Sequence, residues 1–146
     1  MSQPPKAPPI LIVDDETDLR NSLEQLLKAN GHEVITASSG PMALELLQKR
    51  VQDLTTPFVS AVISDWMMPD GNGLDLLAGI RRNQALRNIP FVLMSGNVTK
   101  DELMGAVRYD LDGVILKPFG VQDLIGKLTD AIAKRDRKEL DLLMRK

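Results

Sequence analysis

Five short apolar runs, each breaking off into polar residues, limit what this chain can fold into. Residues 10–13 (ILIV) stop at Asp14, residues 58–64 at Asp65, residues 91–94 at Ser95 and residues 113–116 at Lys117. A weaker run covers residues 33–37. Runs this short and this continuously apolar suit strands buried on both faces. The stretches between them carry helical spacing. Leu19, Leu23, Leu26 and Leu27 share a face within residues 17–30, and Gly31 follows as a stop. Ser39 and Pro41 open a second helix with Met42, Ala43, Leu46 and Leu47 on its apolar face. Leu74, Leu77 and Ile80 mark a third over residues 74–82. Thr99 and Glu102 form a capping-box pattern ahead of Leu103, Ala106 and Val107. A fifth helix starts near Val121 and buries Leu124, Ile125, Leu128 and Ile132. Strands alternating with helices predict an α/β fold: a doubly wound, five-stranded parallel sheet, (βα)5, with the flavodoxin-like strand order 2-1-3-4-5. A barrel of this type needs eight such units.

The rest of the composition narrows the chemistry. A chain of 146 residues is most simply one domain, and its net charge of −2 makes no electrostatic case for direct nucleic-acid binding. Without cysteine there are no disulfides, thiolate sites or cysteine nucleophiles, which fits a cytoplasmic protein. His32 is the only histidine; it follows the helix-stop glycine and is expected to be solvated. No apolar run reaches membrane-spanning length, so no membrane insertion is expected. Residues 1–8 are Pro-rich and lack the apolar core of a signal peptide, so they are read as a disordered leader. Residues 9–134 hold the domain. Residues 135–146 pass from charge to Leu140, Leu142, Leu143 and Met144, and read as an amphipathic helical extension or linker.

The stretch VISDWMMPDGNG, residues 62–73, carries the strongest functional signal. A buried strand ends in Asp65, and turn residues Pro69, Asp70, Gly71, Asn72 and Gly73 follow. Asp65 comes too early to cap the next helix. In a doubly wound sheet, ligands bind at the carboxyl ends of the strands. The predicted order brings Asp14, Asp15, Asp65, Ser95 and Lys117 to that edge. One of Asp14, Asp15 and Glu16 could cap a helix; three adjacent acids exceed that need. Clustered carboxylates repel one another, and a divalent cation relieves the repulsion. All-oxygen ligands without imidazole favour Mg²⁺, or Mn²⁺ in its place. A lysine and a serine beside the metal can hold phosphoryl oxygens, and a carboxylate there can become an aspartyl phosphate.

ILIVDDE, VISDWMMPDGNG, VLMSG and ILKPF, in this order and spacing over residues 9–134, resemble the motifs of response-regulator receiver domains, the CheY-like superfamily of two-component signal transduction. The resemblance implies that Asp65 accepts phosphate from the phosphohistidine of a sensor kinase or phosphotransfer protein. It implies direct Mg²⁺ binding by Asp15, Asp65 and the backbone carbonyl of Met67, with Asp14 acting largely through water. Lys117 would pair with the phosphoryl group, its bond to Pro118 would be cis, and Ser95 would swing in to hydrogen-bond the phosphoryl group. The surface of helix 4, strand 5 and helix 5 would then serve an output partner or dimerisation, a role the C-terminal extension could share. Such a protein is a signalling phosphoacceptor that catalyses only its own phosphorylation and dephosphorylation.

The sequence departs from the family where an aromatic residue usually stands three positions before the strand-5 lysine; here it is Val114. Tyr109, expected on helix 4, is not a substitute. Met67 and Asn97 fall at positions that tune phosphate lifetime in the family, and the apolar Met67 implies slow self-dephosphorylation. Trp66 is expected to be a partly exposed loop residue and Met68 to pack inward. Three rival readings meet specific obstacles. A haloacid-dehalogenase-like phosphatase places its nucleophile after the first strand in a D-x-D pattern, where this chain has DDE. A flavodoxin needs a hydroxyl-rich phosphate loop where Asp14, Asp15 and Glu16 stand. A degenerate, binding-only receiver would not keep every acceptor residue.

Overall fold

The computed structural model describes residues 7–53, 58–68 and 72–145. Most of the leader, residues 54–57 and the turn residues Pro69, Asp70 and Gly71 lie outside the described residues. Strands and helices alternate throughout: β1 (Ile10–Val13), α1 (Thr17–Ala29), β2 (Val34–Ala37), α2 (Gly40–Gln52), β3 (Ala61–Asp65), α3 (Gly73–Arg82), β4 (Phe91–Ser95), α4 (Lys100–Val107), β5 (Gly113–Leu116) and α5 (Val121–Met144). All strand pairs are parallel, and the order is β2-β1-β3-β4-β5. The strand order is the one the alternation predicts.

Period-2 alternation sorts the sheet's side chains into two cores. Leu11, Val13, Val62 and Leu93 face α2 and α3, where Leu47, Leu77 and Ile80 close the layer. Ile10, Ile12, Ile63 and Met94 face α1 and α5, packing on Leu23, Leu27, Leu124 and Leu128. Trp66 corrects one expectation: it is 4 % exposed, not a surface loop residue. Val62, Ser64 and Trp66 fall on one face and Ile63 and Asp65 on the other, so the alternation continues one residue past β3. Met68 packs inward as expected, and His32 is half-buried.

Several element boundaries differ from expectation. β3 begins at Ala61 because its ladder to β1 starts opposite Ile10, while Ser60 N–H donates to the Pro9 carbonyl at 2.8 Å. α2 absorbs residues 50–52. α3 starts one residue early, because Asn72 and Asp75 form a reciprocal capping box. Thr99 caps α4 by accepting from the Glu102 N–H at 3.1 Å, and Gly31 takes φ +89° after α1. Leu26 and Met42 are exposed. In α4 the expected apolar face is mostly uncovered: only Ala106 is buried, while Leu103, Met104 and Val107 face outward. Tyr109 lies just beyond α4, at the end of the sheet opposite Ser95.

α5 runs unbroken through residue 134 to Met144. Arg135, read from sequence as the start of a charged, amphipathic extension, is buried. Its Nε donates to Asp112 Oδ1 at 2.7 Å, and Arg81 Nη2 donates to Asp112 Oδ2 at 2.9 Å. The Phe91 N–H adds a third bond to Asp112, at 2.8 Å. Lys138 pairs with Asp110. This network fastens the second half of α5 to the amino-terminal edge of the sheet.

Candidate functional site

β1 and β3 run side by side with Val13 opposite Ser64, so the residues that follow emerge together at the carboxyl edge. Carboxylate oxygens of Asp14, Asp15 and Asp65 lie within 4.8 Å of one another. Of Asp14, Asp15 and Glu16, none caps α1 through its side chain; Glu16 holds the N-cap position without a side-chain bond. Instead Asp14 Oδ1 accepts from the Glu16 N–H at 2.8 Å, and Arg20 Nη1 donates to the Asp14 carbonyl at 2.7 Å.

Asp14 is fully buried, and its Oδ2 has no hydrogen-bond partner. Burial pushes its pKa up; the Glu16 N–H opposes that, and the charge of Asp65 reinforces it. A buried, unmatched carboxylate oxygen beside two further carboxylates is the donor set a hard divalent cation takes, so the residues fit such an ion. The acidic cluster expected from sequence is therefore assembled.

The other residues arrive from β4 and β5. Lys117 Nζ donates to Asp65 Oδ2 at 3.1 Å. Met67 N–H approaches Asp65 Oδ1 at 3.3 Å, and Met67 is 71 % exposed. Lys117 N–H also bonds the Ser95 carbonyl at 2.8 Å, which sets the two loops against each other. The Lys117–Pro118 bond is cis. Ser95 Oγ is engaged with its own loop; it donates to the Asn97 carbonyl at 2.9 Å and accepts from the Asn97 N–H at 3.2 Å. Val114 pairs with Leu93 and packs against the α2–α3 core.

Sequence reasoning underrated one residue here. Gly73 sits so close to β3 that an added Cβ would lie 2.3 Å from the Asp65 carbonyl oxygen and 2.7 Å from Leu93 Cδ2. Its N–H bonds the Trp66 carbonyl at 2.8 Å. In the sequence it looks like one more turn glycine. Only the fold shows that it lets α3 touch the backbone of the strand bearing Asp65.

Comparison with known proteins agrees with this geometry. The family model described as response regulator receiver domain matches residues 10–129. The chain is 32 % identical over 124 residues to a chemotaxis protein CheY homolog of Campylobacter jejuni, covering 84 % of this chain and 91 % of that protein. It is 33 % identical over 127 residues to the chemotaxis protein CheY-3 of Vibrio cholerae, covering 86 % and 92 %. Among solved structures, a response regulator receiver domain protein from Clostridium thermocellum superposes with a TM-score of 0.77 at 28 % identity, covering 91 % of this chain and 98 % of that one.

Proposed function

The chain belongs to the response-regulator receiver family and is a phosphoacceptor of two-component signalling; from that premise we propose that Asp65 is the residue phosphorylated and that Asp14, Asp15, Asp65 and the Met67 carbonyl hold Mg²⁺, or Mn²⁺ in its place. The observation that carries this reading is the group of three carboxylates within 4.8 Å with Lys117 seated on one of them. An Asp65 oxygen attacks the phosphorus of a phosphohistidine, the P–N bond breaks as the P–O bond forms, and the imidazole leaves. The bound cation supplies charge neutralisation at the phosphoryl oxygens. Lys117 follows the negative charge from the Asp65 carboxylate to the phosphoryl group. Ser95 gives up the Asn97 carbonyl to donate to a phosphoryl oxygen. Lys117, pairing with Asp65 beyond β3, also argues against a nucleophile placed after β1, as a haloacid-dehalogenase-like phosphatase would need.

The donor is a sensor histidine kinase or a phosphotransfer protein, and the setting this implies is the cytoplasm. Among the described residues no helix is long and apolar enough to cross a membrane. The exposed Leu103, Met104, Val107 and Leu116 on α4 and β5 are offered to an output partner or a second copy. The chain turns over no substrate besides its own phosphoryl group. Residues 9–134 carry this chemistry, and residues 135–144 extend α5 beyond it. Met67 brings no polar side chain to a hydrolytic water, so dephosphorylation is slow.

The test is intact mass after incubation with acetyl phosphate and Mg²⁺. A single phosphoryl adduct is expected, absent in Asp65→Asn and decaying far more slowly than seconds. An adduct that survives in Asp65→Asn overturns the assignment. Failure to form one with Mg²⁺ and a kinase donor both present supports a binding-only role.

A further inference from the structure

At the amino-terminal edge of the sheet, far from Asp65 along the strands, the ends of α3 and α4 and the second half of α5 enclose a cleft of about 690 Å³. That volume falls within the range of small-molecule sites. Six cationic side chains line it against two acidic ones, Asp110 and Glu139, in a chain whose net charge is −2. The basic character is therefore local to this cleft.

The six cations divide into two sets. Arg81, Arg135 and Lys138 are engaged with Asp110 and Asp112. Arg81 also donates to the carbonyls of Arg87, Ile89 and Asp110, which ties the loops after α3 and α4 together. Arg82, Arg87 and Arg108 have neither an ion pair nor a side-chain hydrogen bond among the described residues. Arg82 in the last turn of α3 and Arg108 at the C-cap of α4 complement the helix dipoles by charge alone, which leaves their guanidinium donors, like those of Arg87, free of protein acceptors among the described residues. Burial, then the neighbouring Arg135, lower the pKa of Arg81 to about 10, against the opposing pull of Asp112 and Asp110. Tyr109 borders the same cleft with its side chain 39 % exposed.

We propose that this cleft is a second ligand site, taking a nucleotide: its phosphates on Arg82, Arg87 and Arg108 and its base against the ring of Tyr109. Guanidinium groups bind phosphate oxygens through paired, charge-assisted hydrogen bonds, and a tyrosine ring is a stacking platform for any base. The concave shape favours a small molecule over a flat macromolecular partner. The buried ion network beneath fixes the walls in advance, so little ordering is needed on binding. Because Leu142 and Glu139 of α5 form one wall, a bound nucleotide would also bridge the end of α5 to the body of the domain.

The experiment is calorimetric titration of the full chain with ATP, with GTP and with inorganic tripolyphosphate, in EDTA so that no metal bridges the ligand to Asp65. One-to-one nucleotide binding is expected. It should be unchanged in Asp65→Asn, which separates this site from the phosphoacceptor site. Combined Arg82→Gln, Arg87→Gln and Arg108→Gln should weaken it at least about tenfold. Tyr109→Ala should weaken nucleotide roughly fivefold while leaving tripolyphosphate unaffected. No binding at millimolar ligand overturns the site. Equal affinity for tripolyphosphate overturns the assignment of a nucleotide, and an unaltered triple variant overturns the placement in this cleft.

Discussion

The two ends of the sheet each bury a carboxylate completely, and they treat it in opposite ways. At the amino end, Asp112 accepts from Arg81, Arg135 and the Phe91 N–H, so both its oxygens are met by cations. At the carboxyl end, Asp14 receives one backbone N–H on one oxygen and nothing on the other, with two more acids close by. Burial costs the charged form at both places. Only at Asp112 is the cost offset within the chain itself. A buried charge with its partners in place is part of the architecture. One left short marks where the protein expects something from outside.

Removing Asp112 gives the largest effect. Asp112→Ala strands two guanidinium groups in the interior and should cost about 3–5 kcal/mol, as broken buried pairs do. Urea unfolding followed through Trp66, the single tryptophan and a buried one, measures it. A loss below about 1 kcal/mol, the value of an exposed pair, would erase the distinction between the two ends.

Gly73→Ala comes next. The new methyl meets backbone at 2.3 Å, which cannot rotate away, so overpacking of roughly 1–3 kcal/mol is expected. Phosphorylation by acetyl phosphate should slow in the same variant, because the Asp65 main chain is what must move.

Asp14→Asn should act in the opposite direction from Asp112→Ala. It removes a buried, unmatched charge, so the metal-free unfolding midpoint should rise. The wild type alone should then gain stability from Mg²⁺, by about 2.7 kcal/mol at a hundredfold excess over Kd. A metal-free midpoint that falls would show that Asp14 is satisfied after all.

The smallest effect concerns pH. Burial pushes the Asp110 carboxyl up, but hydrogen bonds from Lys138 and Arg135 outweigh it and hold the pKa below the usual 3.8. A depressed carboxylate stabilises the fold above its unfolded pKa and loses that contribution as pH falls through the folded value. Asp110→Asn keeps a residue type that tolerates φ +62°. It should therefore be less stable than wild type at pH 7 by under about 1 kcal/mol, since the group is half exposed. The difference should close below the pKa.

Sequence made one end of the sheet far more legible than the other. Asp14, Asp65, Ser95 and Lys117 each interrupt an apolar run, and parallel topology brings such interruptions to one edge. The Asp112–Arg135 pair leaves no such trace. Arg135 sits in a charged string that looks like any solvated helix, and its partner is 23 positions away. Trp66 was misplaced because the strand's alternation outlasts its ladder. The α4 leucine and valine were misplaced for a different reason: periodicity shows that a helix has an apolar face, not that anything covers it.

The contact at Gly73 has a mechanical consequence. On the α3 side of Asp65, backbone rests on backbone and leaves no slack. In the same layer, α4 is held by one buried alanine. The loop after β3 thus has a stiff neighbour in α3 and a compliant one in α4. Work done by a charge arriving at Asp65 would be absorbed on the soft side, as displacement of α4, whatever chemistry delivered it.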